Sequence, residues 1–139
     1  MDIHLIEPID DIGVYADKNQ LIRILNNIVK NSIQAIPEDK KGYIELKLYK
    51  QDNKAIISIL DNGIGIPEDQ RDEIFKPRFT TKSSGSGLGL AIAANMIDSM
   101  GGTIHFKSKA GKGTEFFVEL PLIRSAFSKS LNRVSLEEV

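Results

Sequence analysis

The sequence predicts a two-layer α/β domain in which helices cover one face of a mixed, mostly antiparallel sheet. Segments whose apolar residues recur at helical spacing alternate along the chain with segments whose apolar residues recur at every second position. The chain has 139 residues, 41% of them hydrophobic and 27% charged, which is enough apolar material for one core. We therefore expect one soluble domain over residues 1–123, followed by a tail over residues 124–139.

The first helix is predicted over residues 16–36. Asp17 can cap its start, with Gln20 three residues further on in the arrangement of a capping box, and Pro37 ends it. Apolar residues recur on one face of this segment, which predicts that this face packs against the core.

The remaining elements follow from spacing and turn residues. A second helix is predicted from about Leu88 to Met100, before two glycines that favour a helix end, and a shorter helix is predicted around residues 68–75. Strands are predicted at residues 3–8, 12–16, 43–50, 55–61, 103–109 and 114–122, the last four as two hairpins. The polar segment 76–87 is expected to be a mobile loop, and the tail a short helix or a disordered segment.

Composition excludes several kinds of chemistry. Cysteine is absent, which excludes disulfides, thiolate metal sites and thiol nucleophiles. A formal net charge of -1 gives no general attraction for nucleic acid or an anionic membrane. No stretch approaches the roughly 18 consecutive apolar residues of a membrane helix. We expect a cytoplasmic type of domain whose chemistry lies in local motifs.

One such motif is a glycine cluster, SSGSGLGLAIA, with glycines at 85, 87 and 89 before the second helix. It is not a P-loop, because Leu90 and Ala91 stand where Lys and Ser or Thr are required. It also does not fit a dinucleotide fingerprint, because it follows a long polar segment instead of a strand and its pattern is G-x-G-x-G. Backbone N–H groups and the dipole at the start of that helix favour an anion. A flexible turn is an equally good explanation of the glycines alone.

A second motif is LDNGIGIP at residues 60–67. Asp61 ends an apolar strand and is followed by glycines, so its carboxylate can accept a hydrogen bond from an exocyclic amine such as that of adenine. Ile64 and Ile66 can supply apolar contacts to a flat ligand. A simple Asp-Asn-Gly turn explains the same residues equally well.

A pair of asparagines forms a third motif on the first helix. Asn27 and Asn31 are four residues apart and therefore share one face, next to the apolar stripe. Magnesium with its waters would give these amides a partner. Hydrogen bonds within a half-buried face explain the pair better when it is considered alone.

In this order along the chain, the motifs resemble the catalytic and ATP-binding domain of bacterial sensor histidine kinases, within a superfamily that includes gyrase, the Hsp90 chaperones and MutL. Five boxes carry the resemblance: NNIVKNSIQAI, DNGIGIP, IFKPRFTTK, GSGLGL and GKGTEF. It extends from about Asp17 to Leu122. It implies a Bergerat-type ATP-binding fold with a short lid over about residues 76–86, similar to the nitrogen-regulation subgroup of these kinases.

The resemblance implies a site for ATP and Mg²⁺. Asn31 matches the magnesium ligand and Asn27 its partner one turn earlier. Asp61 matches the carboxylate that recognises the adenine amine, with a water that Thr114 helps to hold. Catalytic roles are implied for Asn27, Asn31 and Lys82, the last as the cation for the terminal phosphates.

The remaining implied nucleotide contacts lie in the two glycine boxes and the lid. Gly63 and Gly65 match glycines that leave room for adenine, and Lys30 and Arg78 are weaker candidates for phosphate contacts. The nucleotide-binding residues implied in full are Asn27, Asn31, Asp61, Gly63, Gly65, Ile66, Thr80, Thr81, Lys82, Gly85, Ser86, Gly87, Leu88, Gly89 and Thr114.

The reaction type depends on position 27. Hydrolytic members of the superfamily are expected to carry a glutamate base there, and the amide of Asn27 cannot take a proton at neutral pH. The resemblance therefore implies transfer of the γ-phosphoryl group to a histidine. His4 and His105 are followed by Leu5 and Phe106 rather than by the acidic residue expected after an acceptor.

We therefore expect this chain to be the catalytic part of a longer kinase, with a histidine-containing dimerisation domain upstream and a response regulator receiver domain as the parent's partner. Alone it is expected to be a monomer with little activity and no affinity for nucleic acid. Whether the parent is membrane-anchored stays open. The alternatives are an ATP-binding regulatory module or an ATPase of the same superfamily, and a non-enzymatic interaction domain.

Overall fold

The computed structural model describes residues 1–6, 13–76, 89–122 and 133–135. These residues form strands and two α-helices, joined by turns. In chain order the elements are β1 (Asp2–Ile6), β2 (Gly13–Tyr15), α1 (Lys18–Gln34), β3 (Tyr43–Gln51), β4 (Lys54–Asp61), α2 (Gly89–Ser99), β5 (Thr103–Lys109), β6 (Gly113–Pro121) and β7 (Arg133–Ser135). Within these ranges, neither helix is long and apolar enough to cross a membrane.

Five of the strands form one sheet in the order β1-β3-β4-β6-β5. β1 runs parallel to β3, and the other three neighbouring pairs are antiparallel. Apolar residues of α1 and α2 join those of β4 and β6 in one core. The predicted two-layer fold with a mixed, mostly antiparallel sheet is therefore confirmed.

Helix α1 begins as its sequence predicts. The side chain of Asp17 accepts a hydrogen bond from the backbone N–H of Gln20 at 3.1 Å, which satisfies one of the free N–H groups of the first turn. The helix ends at Gln34, two residues before the predicted end. Its buried residues are Leu21, Ile24, Ile28 and Ser32, so an apolar stripe ends on a hydroxyl group.

The face of the sheet that packs on the helices also changes character at one end. Along β4 and β6 this face carries Ile57, Ile59, Phe116 and Val118, all in the core. At the end of β4 the apolar residues give way to a row of three polar side chains, because side chains alternate between faces and cross-strand partners lie side by side. This polar row consists of Asp61 on β4, Thr114 on β6 and Ser108 on β5.

Two local predictions differ from the structure. The expected helix at 68–75 is only a 3₁₀ turn over Glu68–Gln70, because this segment makes hydrogen bonds of three-residue spacing that begin at the carbonyl of Pro67. Within the tail, Arg133–Ser135 forms β7 and pairs antiparallel with β2, so these three residues are neither helical nor disordered. The boundary at residue 123 stays a prediction, and the predicted loop lies almost wholly outside the described residues.

Candidate functional site

Asp61 is the most unusual member of the polar row. It is the last residue of β4 and only 2% exposed. Its Oδ1 accepts a hydrogen bond from the backbone N–H of Gly63 at 2.8 Å, whereas Oδ2 is buried with no hydrogen-bond partner among the described residues. Leaving a buried acceptor unpaired costs about 1 to 3 kcal/mol, more if it is charged. A donor supplied by a ligand or a water would remove that cost.

Burial also affects the ionisation of the Asp61 carboxyl. Loss of solvent raises the pKa of the Asp61 carboxyl above its usual value. The Gly63 N–H lowers that pKa in part, as do the Ser32 hydroxyl, the Thr114 N–H and the positive charge of Lys40. Ser32 is fully buried on α1, yet no hydrogen bond of good geometry joins its hydroxyl to the carboxylate. The groups around Asp61 therefore compensate the negative charge of its carboxylate only in part.

The other two members of the polar row form a hydroxyl network. Thr114 is 4% exposed, and its Oγ1 lies 3.0 Å from Oγ of Ser108. The Ser108 Oγ accepts a hydrogen bond from the backbone N–H of Ile66 at 2.7 Å and lies 3.0 Å from the carbonyl oxygen of Gly113. One serine side chain thus ties the loop after β4 to the β5–β6 hairpin.

The glycines of that loop are required by the closeness of the backbone around them. A Cβ atom on Gly63 would lie 2.6 Å from the carbonyl oxygen of Ala35, just after α1. Gly65 has a φ of +76°, and a Cβ there would overlap the carbonyl oxygen of Lys109. Both positions therefore exclude other residues on packing grounds alone. Room for adenine at these glycines stays a prediction.

The asparagine pair lies where the two helices meet. The Nδ2 of Asn27 donates a long hydrogen bond of 3.4 Å to the carbonyl oxygen of Gly89, the first residue of α2. Asn31 is half-buried one turn later, and its side chain makes no hydrogen bond within the described part of the chain. Within the described residues, neither amide oxygen has a hydrogen-bond partner.

These amides fit a magnesium ion that arrives with a nucleotide. In the described residues no group of three or more His, Asp or Glu side chains could hold a metal by itself. Magnesium at nucleotide sites takes few protein oxygens and completes its octahedral shell with phosphate oxygens and waters. The amide of Asn31, which has no hydrogen-bond partner in the part of the chain that the structure describes, would be a suitable oxygen ligand, and Asn27 stands one turn away.

The structure brings the predicted residues into two neighbouring groups. Asp61 and Thr114 lie in the polar row, and Asn27, Asn31 and Gly89 lie at the helix junction. Ile66 packs against the core, whereas Ile64 is 55% exposed. The remaining predicted site residues lie outside the described residues and stay predictions: Thr80, Thr81, Lys82, Gly85, Ser86, Gly87 and Leu88, with Arg78 and the proposed lid.

Two hydroxyl groups of this region, those of Ser32 and Ser108, were not singled out in the sequence. Ser32 stands four residues after Ile28, in the apolar stripe of α1. Ser108 stands two residues after Phe106, in the alternating pattern of β5. A polar residue at a position that periodicity assigns to the core is the signal that identifies both.

A cavity of about 520 Å³ lies elsewhere, and it is lined by Ile6, Lys47, Leu48, Tyr49, Ser58 and Glu115. Lys47 and Ser58 pair across β3 and β4, and each is next in sequence to a residue that faces the core, Leu46 or Ile59. Because successive side chains of a strand point to opposite faces, this cavity opens on the face of the sheet opposite the helices. The unpartnered Asp61 oxygen lies on the helix side, and we therefore place the candidate site there.

Known proteins match most of the chain. The family described as "Histidine kinase-, DNA gyrase B-, and HSP90-like ATPase" matches residues 16–124. Sporulation kinase E of Bacillus subtilis (strain 168) is 39% identical over 119 residues, which are 85% of this chain and 16% of that protein. Sensor histidine kinase ZraS of Escherichia coli (strain K12) is 42% identical over 109 residues, 78% of this chain and 23% of that protein. The chain thus spans less than a quarter of either relative.

A solved structure gives a comparison over most of both chains. The nucleotide-free catalytic domain of histidine kinase ThkA aligns with a TM-score of 0.75 and 35% identity, covering 86% of this chain and 78% of that one. The five-stranded mixed sheet with helices on one face is therefore the fold of histidine kinase catalytic domains.

Proposed function

This chain belongs to the histidine kinase-, DNA gyrase B-, and HSP90-like ATPase family, and we propose that it is the ATP-binding catalytic domain of a two-component sensor histidine kinase. In that role it binds ATP with magnesium and donates the γ-phosphoryl group to a histidine on the dimerisation domain of its parent protein. The observation that carries the proposal is the buried, unpartnered Oδ2 of Asp61 at the end of β4.

Recognition of the base is assigned to the polar row. An exocyclic amine is a donor, and the Asp61 carboxylate is an acceptor with one free oxygen. Thr114 lies directly beside Asp61 in the sheet and would help to hold a water at the edge of the base. A hydrogen bond to a charged group contributes about 1.5 to 3 kcal/mol, so the amine of adenine would be a strong determinant of affinity.

The phosphates are assigned to the helix junction. Asn31, with Asn27, would hold the magnesium ion, and the free backbone N–H groups at the start of α2 would face phosphate oxygens. When bound, magnesium neutralises the charge that develops on the transferring phosphoryl group. From the sequence, Lys82 is proposed as the side-chain cation for the terminal phosphates, with Thr80 and Thr81 nearby.

Phosphoryl transfer to a histidine is favoured over hydrolysis by Asn27. A carboxylate at this position could act as a base for water, but an amide cannot. In this structure the Asn27 amide instead donates to Gly89. An ATPase of the same superfamily would have to hydrolyse ATP without a base at this position, whereas an ATP-binding regulatory module of that superfamily would need none.

Acceptance of the phosphoryl group by this chain's own histidines is disfavoured. His105 stacks on Phe117 with ring centroids 4.9 Å apart and lies 3.2 Å from the carboxylate of Glu119. His4 packs at 5.1 Å against Tyr43 in the same sheet. We therefore place the acceptor on the parent's dimerisation domain, whose phosphoryl group would then pass to a response regulator.

Nucleotide binding is tested by thermal unfolding with and without the non-hydrolysable analogue AMPPNP and magnesium. At 100 times its dissociation constant, a ligand stabilises the folded state by about 2.7 kcal/mol. We expect a rise in Tm of roughly 5 to 15 °C for a domain of this size. Absence of a shift at millimolar AMPPNP would contradict ATP binding.

Kinase and ATPase activities are then separated by the fate of the γ-phosphate. The domain is mixed with the parent's dimerisation domain and γ-labelled ATP. Label that is stable to base and labile to acid on the dimerisation domain is expected for a phosphohistidine. Release of free phosphate without labelled protein would support the ATPase instead.

Replacing Asn31 with alanine is expected to remove the magnesium-dependent part of nucleotide binding. AMPPNP affinity should fall at least tenfold, about 1.4 kcal/mol, in magnesium and change little in EDTA. Because the Asn31 side chain has no hydrogen-bond partner in the described residues and alanine favours helices, the fold should be unaffected. The exposed Asn26 provides the matched control, Asn26→Ala. Equal losses in magnesium and in EDTA would argue against Asn31 as the metal ligand.

A further inference from the structure

The hydroxyl network beside Asp61 contains enough contacts to determine where its protons point. Ser108 has one O–H proton and two lone pairs. Its Oγ accepts the Ile66 N–H at 2.7 Å, which occupies one lone pair. Two contacts of 3.0 Å remain, one to the carbonyl oxygen of Gly113 and one to Oγ1 of Thr114.

Only one arrangement makes both of these contacts hydrogen bonds. The carbonyl oxygen of Gly113 has no proton, so Ser108 must donate its proton there. Ser108 then has none left for Thr114, and the 3.0 Å contact requires Thr114 to donate into the second lone pair of Ser108. The reverse direction would leave Ser108 and Gly113 as two unprotonated acceptors in contact, which is unfavourable at this distance.

The single proton of Thr114 is therefore directed at Ser108. Thr114 is 4% exposed and neighbours Asp61 across the β4–β6 pair, so its remaining lone pairs lie in the same buried region as the free oxygen of Asp61. The third polar group is the Ser32 hydroxyl, which is buried and makes no hydrogen bond among the described residues. Asp61 and Thr114, the two neighbouring members of the polar row, thus both present acceptors.

We infer that Ser108 is a positioning residue that, through Thr114, makes the base site select an amino group over an oxo group on the six-membered ring of a purine. The inference rests on the proposed function and concerns which nucleoside triphosphate the same site takes. Adenine brings an amine to this position, which donates to acceptors. Guanine brings a carbonyl, which would face the Asp61 carboxylate without a proton between them. Thr114, with its proton held by Ser108, would donate neither to that carbonyl nor to the water that it helps to hold.

The magnitude of such selection can be large. A site built around hydrogen bonds rejects an analogue that leaves its buried groups unpaired by up to about 10⁴ to 10⁵. The part that depends on Ser108 is smaller, because Asp61 remains an acceptor in its absence. Without Ser108, the Thr114 hydroxyl is free to turn and donate to the carbonyl of guanine, either directly or through the water that it helps to hold.

The experiment measures dissociation constants of the full chain for AMPPNP and GMPPNP, both with magnesium, and compares their ratio among variants. We expect Ser108→Ala to reduce the preference for AMPPNP at least tenfold, with GMPPNP affinity unchanged or increased. Ser108→Thr keeps the hydroxyl and should retain the wild-type ratio. Ser99→Ala is the matched control, because Ser99 is exposed at the end of α2 and bonds only to the carbonyl of Met96 among the described residues.

The outcomes separate this inference from the proposed function. If Ser108→Ala weakens the binding of both analogues by the same factor, Ser108 only supports packing and the inference is wrong. The inference would also be overturned if Ser108→Thr lost as much selectivity as Ser108→Ala. If the wild-type chain binds neither analogue, the proposed function itself fails. Should Ser108→Ala not fold by circular dichroism, Ser108→Cys, a weak donor of similar size, takes its place with the same expected fall in the ratio.

Discussion

Replacing Asp61 with asparagine is expected to abolish ATP binding and, at neutral pH, to stabilise the nucleotide-free domain. The amide oxygen of asparagine can still accept the N–H of Gly63, so the loop after β4 keeps its hydrogen bond. The amide NH₂ replaces the free carboxylate oxygen, however. This NH₂ group and the amine of adenine are both hydrogen-bond donors, so no hydrogen bond can form between them. We expect the affinity for AMPPNP to fall on the order of 100-fold or more, about 2.7 kcal/mol.

The stabilisation follows from the raised pKa of Asp61. A carboxyl whose pKa is higher in the folded state than in the unfolded state binds its proton more tightly when folded. Its contribution to stability is full below the unfolded value, about 3.9, and is lost as the pH rises through the raised folded pKa. Asparagine does not titrate, so its advantage in Tm should be present at pH 7 and shrink as the pH falls below that folded pKa.

Both effects are measured on one pair of variants. Thermal unfolding between pH 4 and pH 8 gives the stability difference, and titration with AMPPNP and magnesium gives the affinity. Asp72→Asn is the control, because Asp72 is exposed in the turn after the 3₁₀ segment. Wild-type affinity in Asp61→Asn would show that this carboxylate does not recognise adenine. An unchanged Tm difference across the pH range would show that its burial carries no cost.

Removing the ring of Phe116 is expected to give the largest loss of stability of any single truncation in the sheet. Phe116 is 1% exposed and packs against Phe75 and Phe106, with ring centroids 6.4 Å and 6.0 Å away. Phe→Ala changes at such sites cost about 3 to 5 kcal/mol, through lost burial and the cavity left behind. For a domain of this size that corresponds to a fall in Tm of roughly 10 to 25 °C.

The next residue is a matched control for this effect. Phe117 is half-buried on the opposite face of β6, where it stacks on His105 and lies 5.7 Å from the Lys107 ammonium. Phe117→Ala should cost less than half as much, because solvent already reaches the Phe117 side chain. Chemical denaturation of both variants gives the two free energies of unfolding. Equal losses would mean that the two faces of the sheet are not differently packed.

Periodicity predicted most of the fold, because burial on one face repeats with the period of the element. Asp17 marked the start of α1, and β3 to β6 appeared as two hairpins. The prediction was wrong for residues 68–75, where hydrogen bonds from Pro67 onward favour a 3₁₀ turn. It also missed the strand in the tail, because a strand as short as Arg133–Ser135 leaves no pattern until its partner is known.

The site was less accessible to sequence reasoning than the fold. Asp61 and Asn31 were identified through the order of their motifs along the chain. The spacing of residues within each motif was not enough, because a simple turn or a pair of hydrogen-bonded amides explained it as well or better. The packing reason for Gly63 and Gly65 was not visible, because it depends on Ala35 and Lys109, which reach these glycines only in the folded chain. Proton directions around Ser108 likewise require distances that no sequence contains.

The pairing of β2 with β7 has a consequence for the order in which the molecule assembles. Val14 on β2 faces Val134 on β7, so this small sheet joins residues that lie far apart in the sequence. Closing so long a loop costs more entropy than forming the local hairpins, and contacts of high sequence separation slow folding. During synthesis, α1 and the hairpins can therefore associate before β7 exists. β2 gains β7 as a partner only after Arg133–Ser135 has been synthesised.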